Sequence, residues 1–172
     1  EAHIEIGVVV APFSKYMMDH KRARSAIYRL PDSTLAHRAA EIMYSKVLDM
    51  KERGRTIPYD FAMDDNKPDH LFCSEVVSLG LKTASEGKIN LPLFPSQFSQ
   101  MSPRFMSRIG IKSTSAFVPG DLEVDPRFEL VAEWRDYSWT REVRIKDAIL
   151  TRMFHWMTEE NYALKPTPLT KF

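Results

Sequence analysis

A single cysteine, Cys73, is the only thiol in the sequence. It excludes an internal disulfide, a CxxC redox pair and a zinc site built on several thiolates. Glycine is sparse as well, and Gly7, Gly54, Gly80, Gly87, Gly110 and Gly120 form neither GxGxxG nor GxxxxGK[ST]. The usual phosphate-cradling loops are therefore missing. HExxH and GxSxG do not occur, and the five histidines are scattered, which argues against a local histidine metal site. Asp64, Asn66 and Glu75 fall at calcium-loop offsets, but Pro68 takes a ligand position and Asp69 stands where the turn glycine belongs, so a calcium loop is rejected. The longest apolar run, Ile6 to Phe13, is less than half of the roughly 20 residues a membrane helix needs. Lys and Arg number 24 against 23 Asp and Glu, a net charge of +1. No one-signed field points to nucleic acid or to a membrane.

What is present suits an ordinary globular domain. The chain has 172 residues, of which 44% are hydrophobic and 27% charged, enough to bury a core without staples. It opens on Glu1 rather than Met, with no basic-then-apolar leader pattern, so an upstream segment is expected. Residues 1–13 alternate and then close in a β-branched run, which predicts a strand. A short amphipathic stretch over 14–24 ends in His20, Lys21, Arg22 and Arg24; such short basic runs are usually solvated faces. A second strand is expected over 26–30, stopped by Pro31. Asp32 or Ser33 then caps a helix whose stripe is Leu35, Ala39, Ile42, Met43, Val47 and Met50, and Gly54 supplies the stop.

The polar residues 55–70 read as an ordered loop, and a second helix starts at 72–74 and runs to about Ser85. Residues 91–110 hold three prolines among aromatics and predict one or two helical turns. Strands are expected over 114–118 and 128–134, separated by the turn signal Pro119-Gly120-Asp121. A last helix is expected from Arg141 to about Tyr162, with Val143, Ile145, Ile149, Leu150, Met153 and Met157 inward, and then a loose tail over 164–172. Trp134, Trp139 and Trp156 suggest that residues 121–172 dock onto the rest. Met153, Phe154, Trp156 and Met157 suit a core or a partner interface better than a cofactor box.

Chemistry concentrates at Cys73, where Pro68-Asp69-His70 gives way to Leu71-Phe72 and then to an apolar helix. A thiol at a helix N-terminus feels the positive end of the macrodipole, which favours the thiolate. Glu75 in the first turn pushes the other way. On position alone the better reading of a lone cysteine is a small buried hydrophobe.

The surrounding motifs change that balance. Glu1-Ala2 followed by Gly7-Val8, the turn Pro12-Phe13-Ser14-Lys15-Tyr16, Tyr28-Arg29, the stretch Gly54 to Asp60, and Cys73-Ser74-Glu75 occur in one order over residues 1–90. Together they resemble the circularly permuted papain-like hydrolases of the NlpC-related superfamily, in particular the YiiX/YaeF-like amidase subgroup. The resemblance implies an α+β, permuted papain-like fold: a small antiparallel sheet packed with helices, N-terminally incomplete. It further implies a hydrolase domain over residues 1–120, to which residues 121–172 would add a C-terminal extension.

Under the resemblance Cys73 is the nucleophile and Glu1 the orienting residue of the triad. The general base is a histidine on a strand ahead of Glu1. Within the chain His3 is the best substitute, because strand positions 1 and 3 share a face; a partly exposed strand histidine of no special role is the plainer reading of it. His70 reads as a loop residue, and His20, His37 and His155 as surface groups. Tyr59 and Asp60 either line the site or form the turn that positions the Cys73 helix.

The implied activity is cleavage of an amide or ester through a thioester acyl-enzyme, without metal or organic cofactor. Substrates would be a peptide, a cell-wall amide or an acyl-lipid. No nucleic acid and no transmembrane segment are expected, and the last helix could meet a protein partner. The competing reading is a non-catalytic papain-like module within a larger assembly. Location stays open between a reducing cytosol, which suits a free thiol, and a periplasm.

Overall fold

The computed structural model describes residues 1–19, 22–63 and 67–162. His20, Lys21 and the tail 164–172 lie outside the described residues. Among those described, five α-helices and three separate two-stranded antiparallel ribbons make an α+β fold. The expected single small sheet is therefore divided into three.

The first departure is local. Residues 1–13 do not form one strand but a hairpin, β1 (Ala2–His3) against β2 (Gly7–Val8). The chain reverses over Ile4, Glu5 and Ile6 and enters β2 at Gly7, whose φ of 78° is cheap only for glycine. A Cβ there would also meet the Ile57 carbonyl oxygen at 2.2 Å. That close approach lets Val8 N–H donate to the Ile57 carbonyl at 2.9 Å, which ties the 55–63 loop to the hairpin. After α1 (Phe13–Asp19) comes β3 (Arg24–Arg29).

Helix α2 (Ser33–Glu52) begins where the sequence places it, with the Asp32 side chain accepting from Leu35 N–H at 2.9 Å. Just past its end Gly54 takes a φ of 66°. Helix α3 (Cys73–Ala84) packs against α2. The contact is closest at Gly80, where a Cβ would lie 2.9 Å from Met43 Cγ and 3.1 Å from the Ala39 carbonyl oxygen. Two buried clusters flank this crossing. One holds Leu30, Ala39, Leu81, Ala84, Leu91 and Phe117; the other holds Val8, Met43, Val47, Ile57 and Leu71.

The remainder is β4 (Phe94–Pro95), α4 (Pro103–Ile109), β5 (Ser115–Ala116), β6 (Glu129–Arg135) and α5 (Tyr137–Glu159), with single 3₁₀ turns at Gln97–Gln100 and Pro119–Glu123. β4 pairs with β5, and β6 pairs with β3 from Arg24↔Arg135 to Arg29↔Glu129, with an irregularity beside Ile27. Residues 121–162 thus share a ribbon with the N-terminal segment. Arg24 fastens the arrangement: it bridges Glu123 at 2.8 Å and also pairs with Glu133, and both carboxylates hold its guanidinium charged.

Helix α5 differs from expectation in two ways. It starts at Tyr137 rather than Arg141, because Asp136 caps it by accepting from Trp139 N–H at 2.9 Å. Its expected inward stripe is not inward: Val143, Ile145, Ile149, Leu150 and Met153 are exposed, and only Met157 is buried, packed with Met101, Phe105 and Met106. Trp134 and Trp156 are exposed too. They do not insert into the body of the fold. Periodicity marks an apolar stripe without saying what covers it.

Candidate functional site

The start of α3 is fixed on both sides. Leu71 and Phe72 are buried, and Leu71 N–H donates to the Pro58 carbonyl at 3.0 Å. Phe72 N–H donates to Glu75 Oε2 at 2.9 Å, half of a capping box. Buried Ser74 donates its hydroxyl to the Phe117 carbonyl. Between these anchors Cys73 occupies the first helical position with its side chain exposed. It is not the buried hydrophobe that its position alone suggested.

Although Cys73 is exposed, the surrounding protein partly desolvates its thiol. This desolvation is the strongest influence on the thiol and pushes it above its ordinary range, with the Glu75 carboxylate adding to the effect. The amides of Ser74 and Cys73 and the Ser74 hydroxyl act in the opposite direction and favour the thiolate.

Glu1 and His3 are brought together. The His3 Nε2 atom lies 2.6 Å from Glu1 Oε2, both side chains are partly exposed, and β1 lies against α3. Their shared strand face is the one that alternation predicts. His70 stays in the preceding loop, exposed, with its N–H on the Lys67 carbonyl at 3.1 Å. His37 is exposed beside Glu41, and His155 is half-buried on α5.

Tyr59 and Asp60 stand in different surroundings. Burial and then the neighbouring Cys73, Glu75 and Asp60 charges raise the Tyr59 phenol above its ordinary value, so its ring lies within electrostatic reach of the thiol. Asp60 is buried and accepts from Ala62 N–H at 2.9 Å, an Asx turn that shapes the loop.

One feature escapes the sequence reading. An open, mostly apolar cleft of about 330 Å³ lies between β2, α1, α2 and α3, with Glu1, Val10, Phe13, Tyr44 and Val76 on its walls. Val76 is one turn beyond Cys73. The available signal was the apolar run itself, which continues from Val8 through Phe13 after β2 has ended.

Among the described residues no group of three or more His, Cys, Asp or Glu could hold a metal ion, and no helix is long and apolar enough to cross a membrane. Comparison with protein-family models, with curated proteins and with solved structures finds no match to this chain.

Proposed function

We propose that the protein is a cysteine-nucleophile hydrolase of the amidase or peptidase type. The observation that carries this reading is an exposed thiol on the first turn of α3, with its own amide and that of Ser74 acting on it. Amides so placed stabilise a thiolate and can also donate to the oxyanion of a tetrahedral intermediate.

Cys73 Sγ attacks the carbonyl carbon of an amide or ester. The thiol proton passes to a base and then to the leaving amine or alcohol as the C–N or C–O bond breaks. Water next attacks the thioester, which releases the acid and restores the thiol. The papain-like resemblance assigns the base to a histidine on a strand ahead of Glu1, with Glu1 orienting it. In the described chain Glu1 already holds an imidazole, that of His3. The apolar cleft beside Val76 suits an apolar portion of the substrate.

A specific observation favours a second reading. The thiol is pushed above its ordinary range by burial and by Glu75, as fits a non-catalytic module of the same fold. Reaction with an activated acyl ester, followed by intact-mass analysis with Cys73→Ser as the blank, tests the choice. The hydrolase reading expects an acyl adduct on Cys73 that decays in water. Absence of any adduct in the folded chain, at a pH where the thiolate is populated, would leave the module reading.

A further inference from the structure

Ser74 follows Cys73 in α3 and is 3% exposed. A hydroxyl buried this deeply needs a hydrogen-bond partner. It has one in the Phe117 carbonyl, just past β5, to which the Ser74 hydroxyl donates inside the protein. The same hydroxyl stands beside Cys73 Sγ, where it joins the amides of residues 73 and 74 in favouring the thiolate.

These two duties compete. A serine hydroxyl carries one proton and two lone pairs. While Cys73 is a thiol, that proton serves Phe117, and a lone pair of Oγ is left for the S–H. Once Cys73 is a thiolate, the sulfur is an acceptor only, and it carries charge. A hydrogen bond to a charged acceptor is roughly twice as strong as a neutral one.

On the reading of Cys73 as the nucleophile, on which this rests, we propose that Ser74 is a positioning residue: its single hydroxyl proton serves the Phe117 carbonyl while Cys73 is a thiol and turns to Sγ when the thiolate forms. The turn is a rotation about the Cβ–Oγ bond, and the O–H bond stays intact. The thiol proton leaves to the base, or to water and buffer in the resting chain. The new bond holds the sulfur from the protein side and leaves its exposed side to substrate. It also deprives the buried Phe117 carbonyl of its donor, which opposes ionisation in the same sense as burial and Glu75 do. The state of the nucleophile is thereby linked to the segment after β5.

Other titratable groups lie on the elements around Cys73. They are Glu75 on α3, Tyr59 on the 55–63 loop, Glu1 and His3 on β1, Tyr44 of α2 in the cleft that Val76 lines, and Asp121 beyond Phe117. All of them remain when Cys73 or Ser74 is replaced, so each replacement isolates its own contribution.

Two readouts distinguish this role from a bond that only holds the fold. The first follows the Phe117 carbonyl carbon by NMR across pH in the ¹³C-labelled whole chain. It should move upfield, as a carbonyl losing its donor does, with the same midpoint as the rate of Cys73 alkylation by iodoacetamide. Cys73→Ala should abolish that step. The second is the alkylation midpoint itself: Ser74→Ala should raise it by about half a pH unit or more in the folded chain, and leave it unchanged in urea. A Phe117 carbonyl that stays constant while Cys73 ionises would overturn the proposal. So would a folded Ser74→Ala chain with an unmoved midpoint, whatever its loss of stability. If Ser74→Ala does not fold, the carbonyl titration decides alone. Neither readout requires acyl transfer: absence of an acyl adduct on Cys73 would overturn the hydrolase reading, whereas these results bear on Ser74.

Discussion

Helices α2 and α5 both carry an apolar stripe at helical spacing, and they meet opposite fates. The α2 stripe disappears into two clusters: Ala39, Met43 and Val47 are buried, and α3 crosses it closely at Gly80. The α5 stripe buries only Met157. The difference lies in what faces each helix. α2 meets a helix with a bare glycine and a hairpin whose Val8 reaches its second cluster. α5 is pinned at its first turn, where Asp136 N–H and the Thr140 hydroxyl both donate to the Ala23 carbonyl, and at its last turns on the methionine cluster. The amphipathic pattern is a property of one element. Burial is a property of two.

That contrast can be broken from the packed side first. Leu81→Ala removes a side chain that is 4% exposed in the α2–α3 cluster and should cost about 3 kcal/mol of unfolding free energy in urea melts. Gly7→Ala should cost about 2 kcal/mol or more, since it meets both a positive φ and a backbone oxygen. A loss below about 0.5 kcal/mol would mean that the hairpin and the Ile57 loop are not fastened there.

Asp125 tests a charged fastening outside both helices. Its buried carboxylate takes a bond from Arg127 Nε at 2.8 Å, while Arg127 Nη1 reaches the Asn90 carbonyl at 3.2 Å. The Arg127 guanidinium holds this carboxyl below its ordinary range. The folded state therefore binds its proton less readily than the unfolded chain does. The stability it contributes is present above the unfolded value of about 3.9 and disappears as pH falls through the folded value. Asp125→Asn should lose about 2 kcal/mol at pH 7, and should flatten the acid limb of the stability curve. The smallest effect belongs to the exposed helix: Ile149→Ala should change stability by less than about 0.5 kcal/mol. A loss near that of Leu81→Ala would mean that α5 folds back on its own chain.

Much of this arrangement was legible in the residues. Asp32 and Gly54 marked both ends of α2, and Leu71-Phe72 followed by Cys73 marked the start of α3, because caps and hydrophobic onsets are local. The early hairpin was hidden, since alternation over residues 1–6 reads as one strand until Gly7 is seen against Ile57, nearly fifty residues away in sequence. The inward assignment of Val143, Ile145, Ile149, Leu150 and Met153 failed for a related reason: nothing in α5 reports what lies opposite. At the site, alternation was enough to bring Glu1 and His3 together. The electrostatic reach of Tyr59 to Cys73, and the walls of the cleft, depend on long-range packing that spacing cannot express.

The central claim is that Cys73 stands in a place built for acyl transfer although its thiol is pushed up. The direct measurement is the pH–rate profile of Cys73 acylation by an activated ester, in folded chain and in chain unfolded by urea, each rate divided by the thiolate fraction. The account predicts an apparent pKa above the free-thiol value of about 8.5 in the folded chain. It also predicts a rate per thiolate at least tenfold above that of the unfolded chain, as oxyanion donors at the α3 N-terminus would give. Equal rates per thiolate in the two states would contradict it.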